Sequence, residues 1–352
     1  MTLYPYQEEG ADFLRRRRRG YLGDEMGLGK TVQAAVAASR IARGGRPFRA
    51  LAVAPASTLD NWEAEWARWG PSGFFVPVSY ASRELRQGAI DGADWDLVIL
   101  DEAHYAKNPR AKRTLAALNV ARGAPRSWLL SGTPMPNHPG ELWPAVRALW
   151  PGIADNLRLY SYDAWFDYFC EWTLTKYGKR PYAIRHASTL QRVLDLIMLR
   201  RTVADVELEL PPLRVDVHRL PHDGTVEGWD LERALAAMEA EEEMGDEASL
   251  SRLRRLLGEY KAPRVAKVID EELRMGLYQQ VVVLAYHRSS LDALRRVLGR
   301  YGVAGFDGST PSSKRQAEVD RFTHDPSTRV FIAQQTAAGI GINLQVSSEV
   351  VL

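Results

Sequence analysis

The chain has 352 residues, long enough for two or three compact units with a sizeable core. With 45% apolar and 26% charged residues it is neither a disordered nor a fibrous protein, and 46 basic against 44 acidic residues leave a net charge of +2 that by itself announces no polyanionic partner. Cys170 is the only cysteine, which excludes a disulfide framework and a four-thiolate zinc site and suits a reducing interior. Arginine greatly outnumbers lysine; its planar fork suits phosphate contacts, but codon bias produces the same excess. The start, "MTLYPYQEEG", is acidic where a secretion signal is basic and then apolar. No apolar run approaches the roughly 18 residues of a membrane span. A soluble protein without a membrane partner is therefore expected, cytoplasmic in a prokaryote or in a viral host, nuclear in a eukaryote. His218 and His222 are the closest histidine pair, yet Pro221 argues against a helix there and no third ligand is nearby.

In chain order, "LYPYQEEGADFLRRRRR" reads as a helix that ends in five arginines before Gly20. That run suits a solvated helix end or a contact to phosphates. "GYL" is a short strand candidate, followed by the helix "TVQAAVAASRIARGG" with Gly44–Gly45 as its stop. "ALAVA" (50–54), "DLVIL" (96–100) and "SWLLS" (127–131) read as buried strands. Between the first two, "STLDNWEAEWARWG" is a helix with Ser57 as its cap and Leu59, Trp62 and Trp66 along one face. Such alternation predicts an α/β unit with a parallel sheet over 1–150. Residues 151–212 are aromatic-rich and read as a helical insertion and junction, and 213–275 as a charged helical insertion, helical from Thr225 to Met275. The acidic stretch from Glu239 to Glu243 is a solvated helix face. Strands return at "VVVLAY" (281–286), "VFIA" (330–333) and "EVVL" (349–352), so 276–352 is a second α/β unit.

The chemistry begins at "GDEMGLGKT" (23–31). Gly27 and Gly29 let the backbone curl around phosphate oxygens, and the following helix presents free N–H groups. Lys30 then reaches the β- and γ-phosphates and the Thr31 hydroxyl ligates Mg²⁺. Asp24 stands where the strict phosphate-loop formula has glycine, so the loop alone also suits a glycine turn that caps a helix. "DLVILDEAH" adds two carboxylates at the end of a buried strand, where α/β sheets build their sites. Asp101 is placed to hold Mg²⁺ and Glu102 to orient and deprotonate the attacking water.

With "LLSGTP" (129–134), these stretches in this order resemble helicase superfamily two, and "DEMGLGKT" resembles its Swi/Snf branch of DNA translocases, in which Asp24 is expected. The resemblance implies two RecA-like parallel-sheet lobes with helical insertions that cradle Mg-ATP in the intervening cleft. It implies an ATP site of Gln7, Asp24, Glu25, Met26, Gly27, Leu28, Gly29, Lys30 and Thr31, with Gln7 reading the adenine, and Gly341 near the nucleotide. Coupling falls to His104, Ser131, Gly132 and Thr133. "APASTLDNWEAEW" resembles a DNA-backbone contact through Pro55, Ser57 and Asn61, and "GFDGSTPSSKRQAEVDRF" and "QTAAGIGINLQ" carry this over to Ser309, Thr310 and Thr336. "DEAHYAKNP", "SGTPMPNHPGELW" and "MLRRTVADVELELPP" extend the match, and "LRRLLGEYKAPRVAKVIDEEL" with "VVVLAYHRSSLDAL" is similar to the annealing-helicase, fork-remodelling subgroup.

Two departures qualify what is expected. Family members carry a Q-x-x-x-R-x-x-R segment beyond the position of Leu352, so an incomplete second lobe, slow turnover for want of its arginine finger, and completion by another chain or a downstream segment are expected. Thr336 also stands where many members have a basic residue, which weakens that DNA contact. The function implied is an ATP-driven translocase on double-stranded DNA, read through its backbone regardless of sequence. The alternatives are a strand-separating DNA or RNA helicase and a nucleotide-gated DNA-binding fragment that does not hydrolyse ATP.

Overall fold

The computed structural model describes residues 2–42, 46–88, 90, 94–175, 178–206, 214–218, 225–226, 229–230, 247–338, 344 and 346–352. The chain divides into two units, residues 1–211 and 212–352. In the first, the strands in chain order are β1 (Arg19–Leu22), β2 (Phe48–Ala54), β3 (Gly73–Ser79), β4 (Leu97–Asp101), β5 (Arg126–Leu130), β6 (Cys170–Thr175), β7 (Gly178–Ile184) and β8 (Met198–Leu199). Six of them form one parallel sheet in the order β3-β2-β4-β5-β1-β8.

Near-continuous apolar strands bury both sheet faces, as parallel sheets require. Ala50, Ala52, Ile99 and Trp128 meet one helical layer: α1 (Pro5–Arg16), the alanine-rich α2 (Lys30–Ile41) and Trp62 and Trp66 of α3 (Leu59–Trp69). Their neighbours Leu51, Val53, Val98, Leu100 and Leu129 meet the other, built on Leu118, Trp143, Val146 and Trp165. Small alanines on both β2 and α2 let helix and strand approach closely. The expected α/β fold is present.

Several local expectations are corrected. The edge strand β3 escapes the sequence reading because Pro77 interrupts "FFVPVS"; an edge strand tolerates a residue without an N–H. Cys170–Thr175 and Gly178–Ile184, expected within a helical insertion, pair antiparallel as β6 and β7. Ser57 is not the cap of α3: Ala56–Thr58 make a 3₁₀ turn and Thr58 precedes the helix. The arginine run is not one solvated helix face, because α1 ends at Arg16 and Arg19 opens β1 with its half-buried guanidinium donating to Ala121 O at 2.7 Å and Arg122 O at 3.0 Å. The helix stop at Gly44–Gly45 lies outside the described residues.

In the second unit, β9 (Thr225–Val226) and β10 (Trp229–Asp230) pair antiparallel where helix was expected. The long helix there runs over Glu247–Met275. β11 (Val281–Ala285), β12 (Val303–Ala304), β13 (Val330–Gln334) and β14 (Glu349–Val351) form a parallel sheet in the order β12-β13-β11-β14. Val281, Val283 and Ile332 pack on Ile269, Leu291 and Leu294, while Val282, Phe331 and Ala333 pack on Phe306, Val319 and Phe322. The short strand β12 carried no periodic signal of its own.

Candidate active site

The loop from Gly23 to Gly29 leaves the carboxyl end of β1 and enters α2. Gly27 and Gly29 have φ of +87° and +71°, the left-handed region that only glycine adopts without steric cost. Gly29 is the residue preceding α2, and Lys30 opens the helix. The mostly buried Lys30 side chain folds back inside the curl, where Nζ donates to Asp24 O at 2.9 Å and Glu25 O at 3.2 Å. Burial pushes the ammonium below its ordinary pKa, opposed by the negative charges of Glu102, Asp101 and Asp24. Half-buried Thr31 follows in the first turn, Leu28 is fully buried, and Met26 is exposed at the crest of the loop.

The acid pair stands at the end of β4. Asp101 is buried, with Oδ2 accepting from Trp62 Nε1 at 2.8 Å and Oδ1 from the Glu102 amide at 2.9 Å, while Tyr80 donates to its carbonyl at 2.9 Å. Burial raises its carboxyl pKa to about 6, against the lowering effect of the Trp62 bond. Glu102 takes a left-handed φ of +44°, a conformation costing a non-glycine residue about 1 kcal/mol or more, and so turns sharply out of the strand. Its Oε2 accepts from Ser131 Oγ at 3.2 Å and lies 3.1 Å from His104 Nδ1. Burial drives this carboxyl upward, but the His104 bond and the charge of Lys30 outweigh it and hold the group below its ordinary value.

Loop and acid pair meet through the end of β5. Ser131 is fully buried beside Glu102, and its hydroxyl also accepts from the Thr133 amide at 3.1 Å and lies 3.0 Å from His104 Nδ1. At Gly132 a Cβ would lie 2.9 Å from Met26 Cγ and 3.5 Å from Lys30 Nζ, so this glycine lets the two segments touch. Thr133 Oγ1 stands 3.4 Å from His104 Nδ1. The structure therefore brings Lys30, Asp101, Glu102, His104, Ser131, Gly132 and Thr133 to one edge of one sheet.

Two arginines of the "MLRRTVADVELELPP" stretch, given no role of their own from the sequence, hold this arrangement. Gly23 N–H donates to Leu199 O at 2.7 Å and Glu25 N–H to Arg201 O at 2.8 Å, so the loop continues the pairing of β1 with β8. Arg200 Nη1 bridges Gly23 O at 2.9 Å and Gly132 O at 3.1 Å. Arg201 forks onto the fully buried Asp24 at 3.1 and 2.6 Å, and also reaches Tyr6 O, Glu9 and Gln33 Oε1. The Asp24 carboxylate is thus engaged by Arg201 and by Gln33 Nε2 at 3.1 Å, and that of Glu25 by the Val203 amide at 2.8 Å. These two acids shape the loop from behind. No local signal in the sequence marks this pairing: that Asp24 is buried, and so demands a cation, is known only from the fold.

Gln7 lies beside the loop in α1: a Cβ at Gly29 would come within 2.5 Å of its Nε2, while its Oε1 accepts from the Tyr4 amide at 3.2 Å. Buried Pro55, half-buried Ser57 and exposed Asn61 stand just past the carboxyl end of β2, on the same edge of the sheet. Lys107 pairs with the buried Glu141 at 2.8 Å, and Asn137 Nδ2 donates to Glu141 at 2.7 Å, tying the "DEAHYAKNP" and "NHPGELW" stretches together. Ser309, Thr310 and Thr336 belong to the second unit. Ser309 and Thr310 form a turn closed on Asp307, and Thr336 is exposed in the short helix after β13. Gly341 lies outside the described residues.

A family model described as the SNF2-related domain matches residues 6–87 and 76–229. The chain belongs to the SNF2-related domain family. Everything from Gln7 to Arg201 described above falls inside that match, whereas Ser309, Thr310 and Thr336 fall outside it. This SNF2-related chain is 30% identical over 381 residues to the SWI/SNF-related matrix-associated actin-dependent regulator of chromatin subfamily A-like protein 1 homolog of Caenorhabditis elegans, covering 99% of the chain and 54% of that protein. It is 30% identical over 401 residues to a DNA annealing helicase and endonuclease of Mus musculus, with 99% of the chain and 35% of that protein covered. The chain therefore spans about half, or about a third, of the length of these relatives. The Sulfolobus solfataricus SWI2/SNF2 ATPase core, solved in complex with dsDNA, shares the fold with a TM-score of 0.50 at 21% identity, covering 99% of this chain and 81% of that one.

Proposed function

We propose that the first unit binds ATP with Mg²⁺ and that this SNF2-related chain is part of an ATP-driven motor that tracks along double-stranded DNA. The observation that carries this reading is the meeting of Lys30 with Glu102 through Ser131 and Gly132. A glycine curl around an inward-facing ammonium, a hydroxyl in the first turn of a helix and a buried carboxylate at a strand end form a donor set that fits Mg-ATP. Lys30 and the amides of Gly27 to Thr31 would hold the phosphates, and Thr31 and Asp101 would hold the metal. When bound, Mg²⁺ neutralises phosphate charge and fixes phosphate orientation. Glu102, kept ionised by His104 and Lys30, orients the attacking water. Ser131 and Thr133, both against His104, carry a change at the phosphates into the loop after β5. The kinship with a protein named as a DNA annealing helicase supports DNA as the track, with Pro55, Ser57 and Asn61 as backbone contacts.

Titration with a fluorescent ATP analogue and Mg²⁺ tests the site. Lys30→Ala removes a charge-assisted phosphate contact worth about 1.5–3 kcal/mol, so affinity falls about 10- to 100-fold. Unchanged affinity sinks the assignment. ATP turnover stimulated more by duplex DNA than by single strands or RNA supports the translocase; the reverse order favours a strand-separating helicase. Tight binding without turnover on any of them favours a nucleotide-gated binder.

A further inference from the structure

Away from the candidate ATP site, the first unit carries a groove of about 840 Å³ between the helices Arg83–Arg86, Lys112–Gly123 and Trp143–Leu149. None of its lining residues belongs to the loop 23–31, the acid pair or the 131–133 turn. Its floor is apolar: Leu85, Leu118 and Trp143 are buried beneath it, while Leu115 is 58% exposed within it. Its rim is basic. Arg86, Lys112, Arg122 and Arg147 line it, all exposed, and among the described lining residues none is acidic. This clustering is notable on a chain whose overall charge is only +2.

The partners these cations have within the chain leave them able to bind more. Arg147 makes an exposed ion pair with Asp155 at 3.1 Å, of a kind worth at most about 1 kcal/mol. Arg122 meets Asn119 Oδ1 at 3.4 Å and Arg86 meets Ser82 O at 3.2 Å, each with one of a guanidinium's five N–H donors. Thr114, fully buried, lines the same groove, and among the described residues its Oγ1 has no hydrogen-bond partner, although buried hydroxyls ordinarily find one.

We propose that this groove docks an acidic peptide segment of a partner protein, with apolar side chains on the floor and carboxylates toward the rim. The volume exceeds what one small anion fills and matches several side chains of a short helix. The sign of the rim selects an acidic partner. The exposed Leu115 and the apolar floor select a peptide over a nucleic-acid backbone, whose charged phosphates and sugar rings offer no branched aliphatic side chains to insert there. This inference does not depend on ATP being the ligand of the other site.

The test is fluorescence anisotropy of the whole chain with a labelled helical peptide of about 16 residues, leucine at i, i+3, i+4 and i+7 and glutamate elsewhere. Saturable binding is expected. Lys112→Glu with Arg122→Glu, and separately Leu115→Asp, each weaken it about tenfold or more, with unchanged thermal unfolding because these side chains are exposed. No binding, or unaltered binding by both variants, overturns the proposal. Equal affinity for an all-glutamate peptide overturns it too, since the floor would then contribute nothing. A duplex of about 20 base pairs is the last probe. If it displaces the peptide and the charge reversals weaken the duplex as strongly, the face is a DNA contact and the proposal fails.

Discussion

Replacing Asp101 by asparagine separates what the buried carboxylate does for stability from the metal binding proposed for it. Its carboxyl pKa is raised from 3.8 to about 6, chiefly by burial. A folded-state pKa above the unfolded one means the fold favours the protonated acid: no penalty exists below the unfolded value, it grows as pH rises, and it is complete above about 6. A shift of about two units corresponds to about 3 kcal/mol. Asparagine removes the charge, but its single carbonyl oxygen can accept from only one of the two donors, Trp62 Nε1 and the Glu102 amide, which returns about 1–2 kcal/mol. The net expectation for Asp101→Asn at pH 7.5 is a gain of about 1–2 kcal/mol, or about 3–6 °C for a unit of 211 residues. Thermal unfolding in EDTA at pH 4, 6 and 7.5 reads it, and by pH 4, where the charge penalty has nearly gone, the gain should reverse to a loss of about 1 kcal/mol. In the same variant, Mg²⁺-dependent binding of the ATP analogue is lost. A variant that melts below the parent at pH 7.5, or a difference independent of pH, refutes the reasoning.

Arg201→Ala strands the fully buried Asp24 carboxylate and should cost about 3–5 kcal/mol by denaturant unfolding; Asp24→Asn with Arg201→Met recovers most of that loss, and equal stability of the single variant and the parent would show the pair is idle. Gly10→Ala drives a Cβ to 1.7 Å from Gln33 Oε1 and 2.7 Å from Arg201 Nη2, so about 1–3 kcal/mol is lost and adding Gln33→Ala restores part of it; an unchanged melting temperature refutes the close approach. Trp62→Phe deletes the donor that lowers the Asp101 pKa, so the pH at which Mg²⁺-dependent nucleotide binding sets in moves upward; no movement would exclude the indole as its tuning group.

Much of this was legible in the chain itself. The strands β2, β4 and β5 were visible because strands buried on both faces read as unbroken apolar runs. The glycines of the curl were visible because a left-handed φ leaves few other choices of residue. β3 and the pair β6 and β7 were not, since Pro77 and the mixed polar stretch from 170 to 184 carry no clear period and their strand state comes from their neighbours. The cap at Ser57 was misread because two hydroxyl residues, Ser57 and Thr58, precede α3 and only packing decides where the turn tightens.

The residues proposed to hold the phosphates, the metal and the attacking water, Lys30, Thr31, Asp101 and Glu102, and their order along the chain were legible in the amino-acid sequence. Fold and family followed from that order. Which carboxylates are taken up by partners within the fold was settled only in three dimensions. Asp24 and Glu25 stand in the same motif as Lys30, yet their side chains are taken by Arg201, Gln33 and the Val203 amide, contributed in part from about 180 residues downstream. A buried carboxylate must find its countercharge wherever the fold puts one, and a partner so distant in sequence leaves no local pattern to read.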